Sequence, residues 1–113
     1  MSSITPDQVL AALSRHIGAD RGVGIRQLTR EVLGAPGEGG DERAVRHAIQ
    51  ELRERGHHVC AHPSTGYHLA ATDEELNRTC LYLTERAMCS LRQVAAMKKV
   101  SLPDLKGQLR LPT

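Results

Sequence analysis

Residues 41–69, DERAVRHAIQELRERGHHVCAHPSTGYHL, decide how the chain is read. Val45, Ala48, Ile49 and Leu52 recur at i, i+3, i+4 and i+7, which places them in one stripe of a helix and turns that stripe toward a core. On a wheel of about 100° per residue the opposite arc carries Arg43, His47, Gln50 and, further round, Arg46. These guanidinium and amide groups are of the kind that read base edges. Gly56 ends the helix as the residue that takes the left-handed conformation at low cost. Two short extended runs, 57–61 and 67–70, then flank Pro63-Ser64-Thr65-Gly66, so the chain turns back as a hairpin.

Within that stretch QELRERGHHVCAHPSTGYHL resembles the winged helix-turn-helix of the biotin operon repressor group. That pattern runs from a Leu-Arg pair through Gly and a hydrophobic strand to Gly-Tyr-x-Leu. The matching positions are Leu52, Arg53, Gly56, Val59, Gly66, Tyr67 and Leu69, and the similarity spans roughly residues 5–70. The resemblance implies that the helix from Asp41 lies in a major groove, with Arg43, Arg46, His47 and Gln50 as its readers. Arg26 on the preceding helix, and Ser64 and Thr65 at the wing tip, complete the expected DNA-contacting set. Two features depart from the pattern. The connection Gly34-Ala35-Pro36-Gly37-Glu38-Gly39-Gly40 is longer than the usual short turn, and the wing tip carries Ser64 and Thr65 where a basic residue would hold phosphate.

Outward from this core the chain reads as follows. Thr5-Pro6-Asp7-Gln8 combines a Thr cap, Pro at the first helical position and Gln three residues after the cap, which is a helix start. A first helix is expected over 6–16, burying Val9, Leu10, Leu13 and Ile17. Gly18 to Gly24 reads as a connection in which Val23 forms a short extended piece paired with the wing. A second helix over 25–33 buries Leu28, Val32 and Leu33 and stops at Gly34. The glycines at 34–40 do not form a phosphate loop, because no strand precedes them and no Lys-Ser or Lys-Thr follows; they read as a flexible turn closed by Asp41 as the cap of the third helix. Thr72-Asp73-Glu74-Glu75 is a second capping box and opens a long helix to about Lys99, roughly 40 Å at 1.5 Å per residue. Along it Leu76, Cys80, Leu83, Ala87, Leu91 and Val94 form one stripe, with Leu81, Met88 and Ala95 beside it. The combined arc is wide enough for one side to dock on the winged domain while the other pairs with a second copy. After Val100, Ser101, Pro103, Gly107 and Pro112 are expected to break regular structure, while Leu102, Leu105, Leu109 and Leu111 stay apolar. Three parts result: 1–71 a winged helix-turn-helix domain, 72–100 a long dimerisation helix, and 101–113 a tail. The fold class is mainly α with a small β wing.

Composition narrows the function. One hundred and thirteen residues leave room for a domain and an appendage but not for a catalytic domain of ordinary size. With two Tyr and neither Phe nor Trp, the core must be aliphatic. No apolar run approaches the roughly 20 residues of a membrane span, and Met1-Ser2-Ser3-Ile4 lacks the parts of a secretory signal, so a cytoplasmic location is expected. Cys60, Cys80 and Cys89 form neither an even set nor a CxxC pair and read as reduced thiols. Alternation in the wing strand puts His58, Cys60 and His62 opposite an inward Val59. Zinc could be held there, but no ligand pair has finger-like spacing, so His57, His58, His62 and His68 read as exposed wing side chains, with Cys60 partly covered by the next helix, and their charge, with that of His47, would raise DNA affinity in acid. No metal or cofactor is expected. Up to Ala71 the chain carries eight basic and eight acidic residues, and after it seven and five. All eight early bases are Arg, which suits bidentate recognition of guanine and phosphate, but the balance argues against strong non-specific DNA binding.

The expectation is therefore a sequence-specific regulator of transcription that binds double-stranded DNA as a homodimer, acting as a repressor. The competing reading is a winged-helix module that binds another protein through the long helix and tail, favoured by the balanced charge of the first 71 residues. An enzyme is not expected, since no nucleophile and base are paired at a recognisable spacing.

Overall fold

A computed structural model describes residues 4–108. The expected tail positions Leu109, Leu111 and Pro112, together with residues 1–3, lie outside the described residues. The chain is mainly helical with one small antiparallel sheet. In order it forms α1 (Pro6–Leu13), a 3-10 turn (Ala19–Arg21), α2 (Ile25–Leu33), α3 (Asp41–Glu54), β1 (Val59–His62), β2 (Gly66–Leu69), α4 (Asp73–Lys98) and α5 (Leu102–Gln108). It divides into two compact units, one up to Thr79 and one from Cys80. The first turns of α4 thus group with the N-terminal part, beyond the boundary expected at Ala71.

The first unit is built around a single aliphatic cluster. Val9, Ala12 and Leu13 from α1, Leu28 from α2, Val45, Ala48, Ile49 and Leu52 from α3, Val23 from the connection and Val59 from β1 are all buried in it. The Thr5 capping box forms as expected, with Thr5 and Gln8 bonding each other's backbone N–H groups. α1 nevertheless ends at Leu13, short of His16. Its last turn tightens into i→i−3 bonds from Arg15 to Ala12 and from His16 to Leu13, which releases the chain toward the sheet. Ile17, expected in the core, is half exposed and bridges Leu69 instead. Thr29 takes a core place, its hydroxyl donating to the Ile25 carbonyl at 2.7 Å.

α3 starts differently from expectation. Gly40, left-handed at φ 87°, is its cap and Asp41 its first residue. The Asp41 carboxylate reaches back to accept the Glu38 N–H at 2.8 Å, and Gly37 sits so close to Thr29 that a Cβ there would strike its methyl. The glycine-rich connection is therefore fastened at two points. At the other end Gly56, φ 94°, turns the chain out of α3, and the Arg53 guanidinium donates to the Val59 carbonyl at 2.9 Å, tying helix to strand.

The hairpin pairs Val59 with Leu69, Cys60 with His68, Ala61 with Tyr67 and His62 with Gly66. Its second strand is bonded on both edges. Val23 and Tyr67 exchange N–H···O bonds of 2.9 and 2.7 Å, while Gly18 donates to Leu69 and Leu69 donates to His16. The expected pairing of Val23 with the hairpin is present, and the 16–18 segment adds a second attachment. Two glycines make the approach possible: a Cβ on Gly22 would overlap the Thr65 carbonyl, and one on Gly66 would crowd the Val23 carbonyl.

At the start of α4, Thr72 accepts from the Glu75 N–H as a cap should, but only half of the expected box forms. The Glu75 carboxylate turns to the Ala71 and Ala19 N–H groups, at 2.9 and 3.0 Å. Cys60 and His68 are buried, and the Cys60 thiol points at the Glu75 carbonyl, 3.6 Å away. His57 and His58 are exposed and His62 is half-buried, and Cys60 is covered by the start of α4 as expected; His68, expected among the open histidines, is buried.

The second unit holds the rest of α4 and α5. Lys99, at φ 59°, ends α4 in the left-handed region usually left to Gly. Where a broken tail was expected, α5 forms: Ser101 accepts from the Asp104 N–H, and Pro103 falls in the first turn, where its missing N–H costs nothing. Leu105 is fully buried. Along α4, Cys80, Leu81, Leu83, Ala87 and Cys89 are exposed, Met88, Leu91 and Val94 are half-buried and Ala95 is buried.

The glycine contacts give a paired prediction. Gly22→Ala should cost about 2–4 kcal/mol, since backbone must move to admit the methyl group. Gly24→Ala, where the added carbon meets nothing and φ is −71°, should cost no more than about 1 kcal/mol as a weakened cap. Urea unfolding of the two variants checks the difference; equal losses would contradict the close approach.

Candidate nucleic-acid interface

α3 is held from one side only. Its four core residues lie on one arc, and Arg43, Arg46, His47 and Gln50 all lie exposed on the other. The helix brings these four expected readers together within about two turns. His47 is 71% exposed, and its Nε2 lies 3.0 Å from Glu51 Oε1. The same carboxylate stands 3.7 Å from the Arg55 guanidinium. Glu51 was not among the expected site residues, although the i, i+4 spacing of His47, Glu51 and Arg55 is a legible signal. Glu54 is also exposed on this helix and brings a negative side chain to the C-terminal end of the same arc.

The other expected residues lie on separate elements. Arg26 is exposed on α2. Ser64 is exposed at the hairpin turn, where its hydroxyl lies 2.8 Å from His62 Nδ1. Thr65 is half-buried, its hydroxyl donating to the Gly66 carbonyl. Ser64 is thus the more open of the two.

Two carboxylates brace the scaffold behind this face. His16 Nδ1 lies 2.8 Å from the Arg21 carbonyl, and its Nε2 lies 2.8 Å from Glu31 Oε1, so one ring joins the end of α1, the 3-10 turn and α2. Partial burial acts to raise the Glu31 pKa, but hydrogen bonds from His16 and Gln27, with the charges of His16 and Arg15, hold it below the ordinary value. The Glu75 carboxyl is likewise held low, chiefly by the Ala71 and Ala19 N–H groups. It stands 3.8 Å from His68 Nδ1.

Among the described residues no group of three or more His, Cys, Asp or Glu is placed to hold a metal ion. No described helix is long and apolar enough to cross a membrane. The concavity at the glycine-rich connection, lined by Gly37, Gly39, Gly40, Glu38 and Glu42, carries two carboxylates, the wrong sign for a phosphate. No protein-family model, curated protein or solved structure matches the chain.

The Glu31 bridge predicts acid sensitivity. Because the folded form holds the carboxyl low, its contribution is complete above the ordinary Glu pKa of about 4.3 and is lost as pH falls through the folded value. Glu31→Gln should therefore lose less stability than the wild type between pH 6 and pH 3, measured by urea unfolding at each pH. Parallel losses would remove Glu31 from the account.

Proposed function

We propose that this chain is a sequence-specific double-stranded DNA-binding regulator of transcription, built on a winged helix-turn-helix and acting as a homodimeric repressor. In this reading α3 is the recognition helix, the hairpin is the wing, and repression is steric, with two recognition helices in successive major grooves of a palindromic site. The observation that carries it is the exposed face of α3. Four side chains able to donate to base edges or phosphates stand on one arc of a helix whose other arc sends Val45, Ala48, Ile49 and Leu52 into the core. Arg43 and Arg46 would contact guanine or phosphate, Gln50 an adenine edge and His47 either.

A second reading has its own support. The even balance of charge up to Ala71 and the exposed Leu81 and Met97 suit a winged helix that binds a protein through α4. The two readings separate on salt and on one residue.

Duplexes selected from a random pool should bind with an affinity that falls steeply as salt rises. Arg46→Ala should weaken binding to the selected site by roughly 5- to 150-fold, the equivalent of about 1–3 kcal/mol for a bidentate contact, while leaving the fold intact. Fluorescence anisotropy titrations at two salt concentrations measure both. Failure to select any sequence, or an affinity indifferent to Arg46, would favour the protein-binding module.

A further inference from the structure

α4 carries a stripe whose positions are nearly symmetric about its middle. Asp73, Leu76, Cys80 and Leu83 are followed by Ala87, Leu91, Val94 and Lys98, at spacings of 3, 4, 3, 4, 4, 3 and 4. At about 100° per residue all eight fall within an arc of roughly 80°. Paired from the outside inward, Asp73 with Lys98, Leu76 with Val94, Cys80 with Leu91 and Leu83 with Ala87 have midpoints within half a residue of one another, at the level of residue 85 and on the face opposite Glu85. Cys80 to Leu91 and Leu83 to Val94 each span eleven residues, a repeat that keeps the stripe nearly parallel to the helix axis. Cys80, Leu83 and Ala87 at its middle, and Asp73 and Lys98 at its ends, are exposed.

The charges decide what lies against it. The first turn is acidic (Asp73, Glu74, Glu75) and the last is basic (Lys98). The helix's own dipole favours those signs at those ends, but it does not require Asp73 and Lys98 to fall in line with the apolar stripe, roughly 37 Å apart along the axis. A second α4 running the opposite way sets Asp73 against Lys98 at both ends and Leu against Val, Cys against Leu and Leu against Ala between them. A second α4 running the same way sets Asp against Asp and Lys against Lys.

We propose that two copies of this chain pair through α4 in antiparallel orientation about a two-fold axis that meets the stripe at the level of residue 85. The pairing is isologous, so each contact occurs twice, and the small side chains of Cys80 and Ala87 let the axes approach toward the lower end of the usual 8–10 Å. This deepens the homodimer of the proposed regulator and rests on that reading.

The test uses the full chain without DNA. Sedimentation equilibrium should show a dimer. Asp73→Lys or Lys98→Asp alone should weaken it about three- to tenfold, by replacing two rim attractions with repulsions, and the two together should restore it. Under mild oxidation Leu91→Cys should form a disulfide between position 91 of one copy and Cys80 of the other, identified by peptide mass. Wild-type Cys80 should not pair with its own counterpart, which lies roughly 16 Å away in this arrangement and beyond disulfide reach. A chain that stays monomeric, a Cys80-to-Cys80 disulfide in the wild type, or a charge swap that does not restore pairing would each overturn the proposal. Circular dichroism of each variant confirms folding. Because the readouts contain no DNA, a monomer that still binds a half-site through Arg46 would overturn only the pairing, and a dimer indifferent to DNA would overturn only the regulator.

Discussion

The exchange of hydrogen bonds between Val23 and Tyr67 is the joint on which the N-terminal unit depends. A two-stranded hairpin of four-residue strands is at best marginal in water. Here the second strand becomes the middle of a small three-part array, with the 16–18 segment and Val23 on its far side. Each such bond contributes only about 1 kcal/mol net, but together they fix one register and one distance from α2. The close approach that allows this leaves no space for a Cβ at Gly22 or Gly66. Glu75 then fastens the beginning of α4 to the same junction through the Ala19 and Ala71 N–H groups.

That joint engages several of the positions that carry the resemblance drawn from the sequence. Leu52 is core, Arg53 bonds the Val59 carbonyl, Gly56 makes the left-handed exit, and Val59 closes the cluster. Gly66, Tyr67 and Leu69 form the contact with the connection. Every one of these positions builds the scaffold. None belongs to the exposed arc of α3, so the motif speaks for a shape, and the chemistry of the proposed interface rests on Arg43, Arg46, His47 and Gln50 by themselves.

How far the sequence was legible follows the range of the interactions involved. α2 and the core stripe of α3 were readable because periodicity and flanking glycines are local signals. The early end of α1 was not, because the 14–17 segment is diverted by pairing with a strand some fifty residues later. The burial of His68 is not legible for the same reason: strand alternation names two faces but does not say how far a later helix will cover one of them. α5 was missed because Pro103 and Gly107 read as breakers, although Pro in a first turn and a Ser cap before it are compatible with helix. On the α3 face, side-chain type and arc were readable, and the hold of Glu51 on His47 was overlooked in a pattern already present in the sequence.

Charge balance links the two ends of the proposed regulator. Eight acidic residues offset eight arginines up to Ala71, and Glu51 and Glu54 share α3 with the readers. In the proposed function a single copy would have little of the counterion release that drives non-specific binding, and would rely on a few directed contacts, each worth about 1–3 kcal/mol. Joining two such sets makes the second engagement intramolecular, at an effective concentration that can approach millimolar. In the proposed pairing, the α4 stripe, with Asp73 at one end and Lys98 at the other, would supply that joining without adding net positive charge. Under the proposed function, weak electrostatics in the first unit and pairing through α4 would act together, with selectivity coming from the requirement for both half-sites.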